Sequence, residues 1–464
     1  MKDRKKITKH QSSKISRRDF MGAAAAVAAI TIVPRHVLGG RGRVSANEKL
    51  NIAGIGVGGR GASDLRALES ENFVALCDVD WERASGSFKK YSSARKYKDF
   101  RRMLDKEAKN IDAVVIGAPD HIHAPAAIMA MKMGKHVYCE KPMAHTIYEA
   151  RRMTEVACET GVVTQMGNQG HAGEGLRLTY EFIHDGAIGT IREVHVWTDR
   201  AGVPERAWWP QGIGRPKGSS PVPGTLDWDM WLGPARWRPY AKFRNSKGDM
   251  VSYCPFNWRG WWDFGCGALG DMAVHNADPA FYCLDLGAPI AAEAQSGPVN
   301  DETFPVWSII TYYFPAKGNR PAVKMKWYDG GKKPPNPPEL KGRELQSNGI
   351  LFVGSKGKIV CGSHAGSPAL LPEELSRSYK KPAKTLARSP GHHKEWADAC
   401  RANKPLDAKA GFWYSGPFTE ALLVGNLAVR LGRRVEWDTK TMRCSNAPEA
   451  DNYITKFYRA GWSV

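Results

Sequence analysis

Three groups of residues in this 464-residue chain have types and spacings that could do chemistry. The first is Glu140-Lys141-Pro142, which follows the apolar run Lys135-His136-Val137-Tyr138-Cys139. A lysine beside a ligand crevice is partly desolvated, which favours the neutral amine and lets it trade protons near neutrality. A surface lysine after a strand is the plain alternative. The second group is Asp271-Met272-Ala273-Val274-His275, with Asp278 beyond it. On a helix, Asp271 and His275 share a face and Asp278 lies on nearly the same side. Acids so placed could orient and tune an imidazole. The plain alternative is an N-cap aspartate and a hydrogen-bonded core histidine. Two or three such ligands without a partner motif fall short of a metal site, so no metal is expected. The third group is the turn Gly54-Ile55-Gly56-Val57-Gly58-Gly59-Arg60-Gly61. Gly54-x-Gly56-x-x-Gly59 follows an apolar strand pattern and precedes a helical one, the context a dinucleotide fingerprint needs. Its three glycines would serve a tight turn, close approach to a pyrophosphate, and close helix–strand packing. Freed N–H groups at the helix start would face the phosphates. A second apolar run, Phe73 to Cys77, ends at Asp78, 19 residues past Gly59, where a ribose-binding acid is expected.

The elements that would hold these groups alternate. Strands are expected at 50–55, 73–77, 111–116, 135–139 and 161–166, with helices at 81–90, 97–109, 124–133 and 146–160. That order predicts a doubly wound parallel sheet whose ligand lies beyond the strands' carboxyl ends. Asp78, Pro119, His123, Glu140 to Pro142, Asn168 and Gln169 all fall there. From about residue 190 the pattern becomes alternating, and 203–262 is rich in Trp, Pro and Gly. Strands at 306–314, 322–327, 350–353 and 358–361, with helices at 393–402 and 417–431, predict an α+β domain with one open, mainly antiparallel sheet. The expected organisation is an export signal (1–46), a Rossmann dinucleotide-binding domain (47–170) and the α+β domain (171–464). The tryptophans suit stacking on sugar C–H faces, Trp262 among them, although most buried Trp is core.

Residues 1–46 hold 11 Lys/Arg and 2 Asp/Glu and account for +9 of the formal +20 charge. The remaining +11 is spread out and has no nucleic-acid motif with it, so no nucleic-acid partner is expected. The basic start, Ser16-Arg17-Arg18-Asp19-Phe20, a short apolar segment and Val44-Ser45-Ala46 read as an export signal cleaved after Ala46. It resembles a twin-arginine (Tat) signal, which implies the Tat machinery as partner, a periplasmic location and no stable membrane anchorage after cleavage. Nine cysteines without a Cys-x-x-Cys indicate neither a disulfide framework nor a zinc site.

Taken together, the glycine loop, Asp78, Ala118-Pro119-Asp120-His121-Ile122-His123, Glu140-Lys141-Pro142 and Asp271-x-x-x-His275 resemble the Gfo/Idh/MocA family, over most of 49–435. The exported branch with a Trp-rich insert, here Leu226 to Pro234, looks closest. The resemblance implies an NAD(P)-dependent oxidoreductase acting on a CH–OH group of a sugar, sugar derivative or cyclitol. It implies Lys141 as proton relay at the reacting oxygen, His275 as acid/base, and Asp271 as holder of substrate or histidine. Gly54, Gly56, Gly58, Gly59, Arg60, Asp78, Pro119, His123, Glu140 and Pro142 would bind cofactor; Asn168, Gln169, Asp278 and Trp262 would bind substrate. Asp78 favours NAD, since a carboxylate repels a 2′-phosphate, with Arg83 keeping NADP open. The alternative from the same family is an NAD-dependent glycosidase or lyase that oxidises transiently, eliminates and recycles its cofactor. A homo-oligomer formed through the open sheet is expected.

Overall fold

Ala113-Val114-Val115-Ile116 is apolar at every position and buried at every position, as suits a strand covered on both faces. It is the centre of the first sheet in the computed structural model, which describes residues 48–201, 207–245 and 247–464. The expected export signal lies outside the described residues. Among them, no helix is long and apolar enough to cross a membrane, and all nine cysteines are unpaired.

Six strands form the parallel sheet: β1 (Asn51–Ile55), β2 (Asn72–Cys77), β3 (Arg95–Tyr97), β4 (Ala113–Ile116), β5 (His136–Glu140) and β6 (Thr164–Gly167). Their order is β3-β2-β1-β4-β5-β6. The order reverses between β1 and β4, which opens a crevice at their carboxyl ends, the usual ligand position in such sheets. The strand β3 stands where a helix from Tyr97 was expected. It is a polar, exposed edge strand, so it carries no apolar period. The helix begins only at Phe100, after Asp99 has capped it by accepting from the Arg101 N–H. The helix expected from Trp81 is confined to Ser85–Lys90. The helix Ile147–Thr160 is bounded by a capping box, Thr146 with Glu149, and by left-handed Gly161.

The second sheet has nine strands. In chain order they are β7 (Ile191–Trp197), β10 (Ala291–Ser296), β11 (Ser308–Phe314), β12 (Val323–Tyr328), β13 (Gly349–Gly354), β14 (Lys358–Cys361), β15 (Ala369–Leu371), β16 (Val435–Asp438) and β17 (Arg443–Cys444). A separate ribbon, β8 (Lys242–Arg244) with β9 (Met250–Ser252), belongs to the Trp-rich segment. The nine-stranded order is β15-β14-β13-β7-β12-β11-β10-β16-β17, antiparallel except where β7 meets β12. The helix Phe412–Leu431 packs on β10 and β11 and also on Ile147–Thr160 of the first domain. Tyr312 of β11 donates to its Leu422 carbonyl at 2.7 Å, and its Glu420 takes a two-pronged contact from Arg151. One apolar core therefore runs through both sheets, from Ile116 and Met166 to Val194 and Phe352.

The Trp-rich segment has its own aromatic core. Trp228 and Trp231 stack at 4.9 Å, with Tyr253, Trp261 and Phe264 around them. His121 fastens it to the first domain through the carbonyls of Trp231 (3.0 Å) and Phe264 (3.2 Å). The Asp227 N–H donates to Val79 O and the Trp81 N–H to Thr225 O, tying it to the chain after β2.

At the glycine turn, Gly56 has φ +72°, and a Cβ there would come within 2.6 Å of the Ala118 nitrogen. The close helix–strand contact is made not by Gly59 but two residues later. A Cβ on Gly61 would overlap the Gly56 carbonyl oxygen, and a Cβ on Gly117 would come within 2.7 Å of the Gly61 Cα. Gly61→Ala should therefore cost about 1–3 kcal/mol of stability by overpacking. A urea-denaturation midpoint unchanged from the parent protein would contradict this close approach.

Candidate active site

The crevice beyond β1 and β4 encloses about 450 Å³. Its floor is the glycine loop (Gly56, Gly58, Arg60), with Asp78 after β2, Pro119 after β4, and Glu140 and Lys141 at the end of β5. The second domain contributes Arg200, Asp271, His275 and His364, and the Trp-rich segment roofs it with Phe256, Trp258 and Arg259. Lys141 and His275, 134 positions apart in sequence, line the same cavity.

Lys141 is a donor twice over: its Nζ lies 2.6 Å from Asp271 Oδ1 and 2.9 Å from the Asp271 carbonyl. Arg259 Nε reaches the same Oδ1 at 3.0 Å, and Arg200 lies 3.7 Å from Oδ2. Burial alone would raise the Asp271 carboxyl, but Lys141, Arg259 and Arg200 hold it well below the usual carboxylate range. His275 is buried, and among the described residues it donates to no carboxylate. Its Nδ1 lies 2.8 Å from the Asn168 carboxamide oxygen, so Nδ1 carries the hydrogen and Nε2 keeps its lone pair. Burial, then the charges of His364 and Lys141, pushes this imidazole well below its ordinary 6.5. The site thus sets a cationic donor beside a neutral imidazole acceptor.

Glu140 is buried and accepts from Arg60 Nε at 3.0 Å and Gln169 Nε2 at 2.8 Å. Asp78 Oδ2 accepts from the Val57 N–H (2.8 Å) and the Gly58 N–H (3.2 Å), which locks the turn to β2. Burial pushes Asp78 up to about 6 against those bonds.

Other candidates stand behind the crevice wall. His123 bridges the Pro142 and Ala118 carbonyls, both at 2.8 Å, and so fixes the Glu-Lys-Pro turn from beneath. Asn168 is fully buried and touches His275, not open space. Gln169 is held by Tyr138 and Glu140. Gly54 lies within β1 against Val57 and Leu76, and Gly59 opens the helix Gly59–Ala67 beneath Arg83.

Two assignments require correction. Asp278 does not reach the crevice. It is buried against His171 (3.0 Å) and accepts from Tyr414 at 2.6 Å. The stretch Leu269–Ala273 is a π-turn across which Asp271 and His275 still reach the crevice, whereas a separate helix, Asp278–Leu284, starts at Asp278, whose carboxylate goes to His171 and Tyr414. Trp262 stacks on Phe304 and under Arg430, lining a separate cavity with His145 and Lys456.

Three crevice residues went unread in the sequence: Arg200, Arg259 and His364. His364 stacks on His275 with centroids 4.0 Å apart and has a left-handed backbone, φ 59°. A non-glycine residue there, followed by Ala365 and Ser367 at positive φ, is a strained presentation typical of functional loops. No motif carries these residues. Among the described residues no group of His, Cys, Asp and Glu could hold a metal ion.

Comparison with known proteins matches the chain to two family profiles. Residues 50–168 match an oxidoreductase family NAD-binding Rossmann fold, and residues 181–464 match the C-terminal alpha/beta domain of an oxidoreductase family. Inositol 2-dehydrogenase of Salmonella typhimurium is 31% identical over 147 residues, which is 30% of this chain and 43% of that protein. A glycosyl hydrolase family 109 protein of Stenotrophomonas maltophilia is 32% identical over 201 residues, 37% of this chain and 43% of that protein. The chain thus spans less than half the length of these curated relatives. Among solved structures, the WlbA dehydrogenase of Bordetella pertussis, with NADH and UDP-GlcNAcA, superposes with a TM-score of 0.56 at 18% identity. That match covers 84% of this chain and 99% of the other, and is a likeness of fold.

Removal of the Asp271 carboxylate would leave Lys141, Arg259 and Arg200 facing one another across the crevice. Asp271→Asn should cost about 2–3 kcal/mol, toward the low end for a broken buried pair because Lys141 and Arg259 keep some access to water. Part of the loss should return in sulfate relative to chloride. Equal denaturation curves for variant and parent in chloride would contradict the assignment.

Proposed function

The chain belongs to the Gfo/Idh/MocA oxidoreductase family, and from that premise we propose that it is an NAD-dependent oxidoreductase acting on a CH–OH group of a sugar, sugar derivative or cyclitol. The observation that carries this reading is the meeting of the Lys141–Asp271 ion pair and the Nε2 lone pair of His275 in the glycine-floored crevice. The residues present suit a dinucleotide. Gly56 and Gly58 let the turn press closely on Gly117-Ala118 and on Arg83, where any Cβ would collide, and the cavity opens at the sheet's switch point. With the Val57 and Gly58 N–H groups already given to Asp78, the N–H groups at the start of the helix Gly59–Ala67 would face the pyrophosphate. Asp78, already oriented by two loop amides, would take the ribose hydroxyls. NAD, when bound, supplies the hydride acceptor. His275 takes the hydroxyl proton on Nε2, and the Asn168 contact fixes the tautomer that can do so. The Lys141 ammonium, anchored by Asp271, donates to the substrate oxygen and steadies the negative charge that grows as its proton leaves.

Export by the Tat route to the periplasm, supported by the twin-arginine pattern of residues 1–46, belongs to the same proposal. So does a homo-oligomer: Tyr312 faces the covering helix, which leaves Ile309 and Tyr313 on the opposite face of β11. The likeness to a family 109 glycosyl hydrolase supports a second reading, transient oxidation with elimination and cofactor recycling. Mass spectrometry of nucleotide released from purified protein, followed by a screen of sugars and aryl glycosides at the absorbance of reduced cofactor, separates the two. Net reduction supports the first; glycoside cleavage without net reduction supports the second.

Lys141→Ala should lower kcat by about 10²–10³-fold while nucleotide stays bound, the scale expected for losing one donor to a developing negative oxygen. Full activity would remove Lys141 from the mechanism. His275 is a base whose pKa is depressed, so it remains neutral below its ordinary 6.5. The acidic limb of kcat/KM for oxidation should therefore lie below pH 6.5; a limb at or above 6.5 assigned to His275 would contradict its buried, neutral state.

A further inference from the structure

Resting on that reading, we propose that the substrate is an acidic sugar, one whose carboxylate or phosphate docks on Arg200 and Arg259. The argument starts from an imbalance of charge. Three cations converge on the single carboxylate of Asp271: Lys141 at 2.6 Å, Arg259 at 3.0 Å and Arg200 at 3.7 Å. The other acids nearby are engaged or distant. Glu140 is taken by Arg60, Asp120 is buried and accepts from the Cys266 N–H, and Asp199 comes only to 4.0 Å from Arg200. Asp78 is bonded to the glycine loop, and Asp80, which also lines the crevice, accepts from the Arg83 N–H at 3.2 Å.

The two guanidinium groups are also held ready. Arg200 lies over the Trp208 ring at 3.7 Å and keeps 25% of its side chain exposed where it lines the crevice. Arg259 sits against Phe256 and Trp258, at 4.3 and 4.2 Å from their ring centres, with one nitrogen on Asp271 and another on the Phe256 carbonyl. Phe256 presents that carbonyl from a backbone with φ 78°, a costly conformation for an aromatic residue. Stacked, partly desolvated guanidinium planes with free donor edges match carboxylate or phosphate oxygens in a way that a hydroxyl does not. A neutral hydroxyl group would leave this excess of positive charge uncompensated inside the crevice. An anion relieves it. Aromatic walls beside the two arginines supply the surface on which a sugar ring lies.

The test uses the full chain, with NADH bound for the binding measurement and NAD⁺ supplied as hydride acceptor for turnover, and matched sets of sugars: glucose, glucuronate and glucose 6-phosphate, then galactose with galacturonate and mannose with mannuronate. Tryptophan fluorescence reads binding, since Trp208 and Trp258 touch the two arginines, and kcat/KM reads turnover. At least one anionic member should bind and react ten-fold or more better than its neutral parent, and its binding should weaken when NaCl rises from 50 to 500 mM. Preference for the uronates assigns the carboxylate, and preference for the phosphate assigns the phosphoryl group. Arg200→Met and Arg259→Met should each cut the acid-to-neutral ratio ten-fold or more with NADH still bound. If either variant fails to fold, the ratio in the unaltered protein decides. NADH binding with neutral sugars equal to or better than every anionic one would overturn this inference and leave the oxidoreductase reading intact. Absence of both NADH binding and cofactor reduction would take down that reading and this inference with it.

Discussion

The carboxylate of Asp271 is the point on which the crevice depends. It lies on a π-turn of the second domain, yet its first partner is Lys141, at the end of a strand in the first. A lone carboxylate buried so deeply would be expensive; surrounded by cations it is held ionised, and it holds them in turn. One side chain therefore sets the angle of the lysine, anchors the roof through Arg259 and draws Arg200 toward the same cavity. His275 follows one turn later on the same polypeptide segment, so its position is fixed by that anchor as well.

Around this centre, the architecture works by close approach. Gly56, Gly61 and Gly117 bring three stretches of backbone together without side chains between them, which keeps the glycine turn low. His123 joins the Ala118 and Pro142 carbonyls, so two loops that reach the crevice from different strands move as one. Asn168 does the same for the imidazole of His275 from the end of β6. These supporting groups were singled out as ligand contacts from their positions beyond strand ends; in the structure their role is to aim the residues that do face the cavity.

Much of this was legible in the sequence where local pattern and function coincide. Buried parallel strands are apolar throughout, and glycines at 56 and 59, both at positive φ, announce a turn that favours them. What escaped was whatever depends on chain folding back. Arg200 and Arg259 lie in a stretch without period or motif, and only the tertiary fold brings both to Asp271. His364 comes from a short loop beyond β14 whose left-handed backbone no composition announces. Asp278 opens a new helix beyond His275, a break that no residue spacing announces, and Trp262 borders another cavity, about which an indole's preference for sugars says nothing. The polar edge strand β3 hid behind its own lack of apolar residues.

The helix Phe412–Leu431 has a consequence for recombination. The family profiles divide the chain near residue 170, which invites exchange of one half between relatives. Yet this late helix is a wall of the first half as much as of the second, covering Ile147–Thr160 while resting on β10 and β11. A chimaera joined at the apparent boundary would inherit a mismatched seam along its whole length, so the unit that evolution can shuffle intact is the first sheet together with a helix encoded some 240 residues downstream.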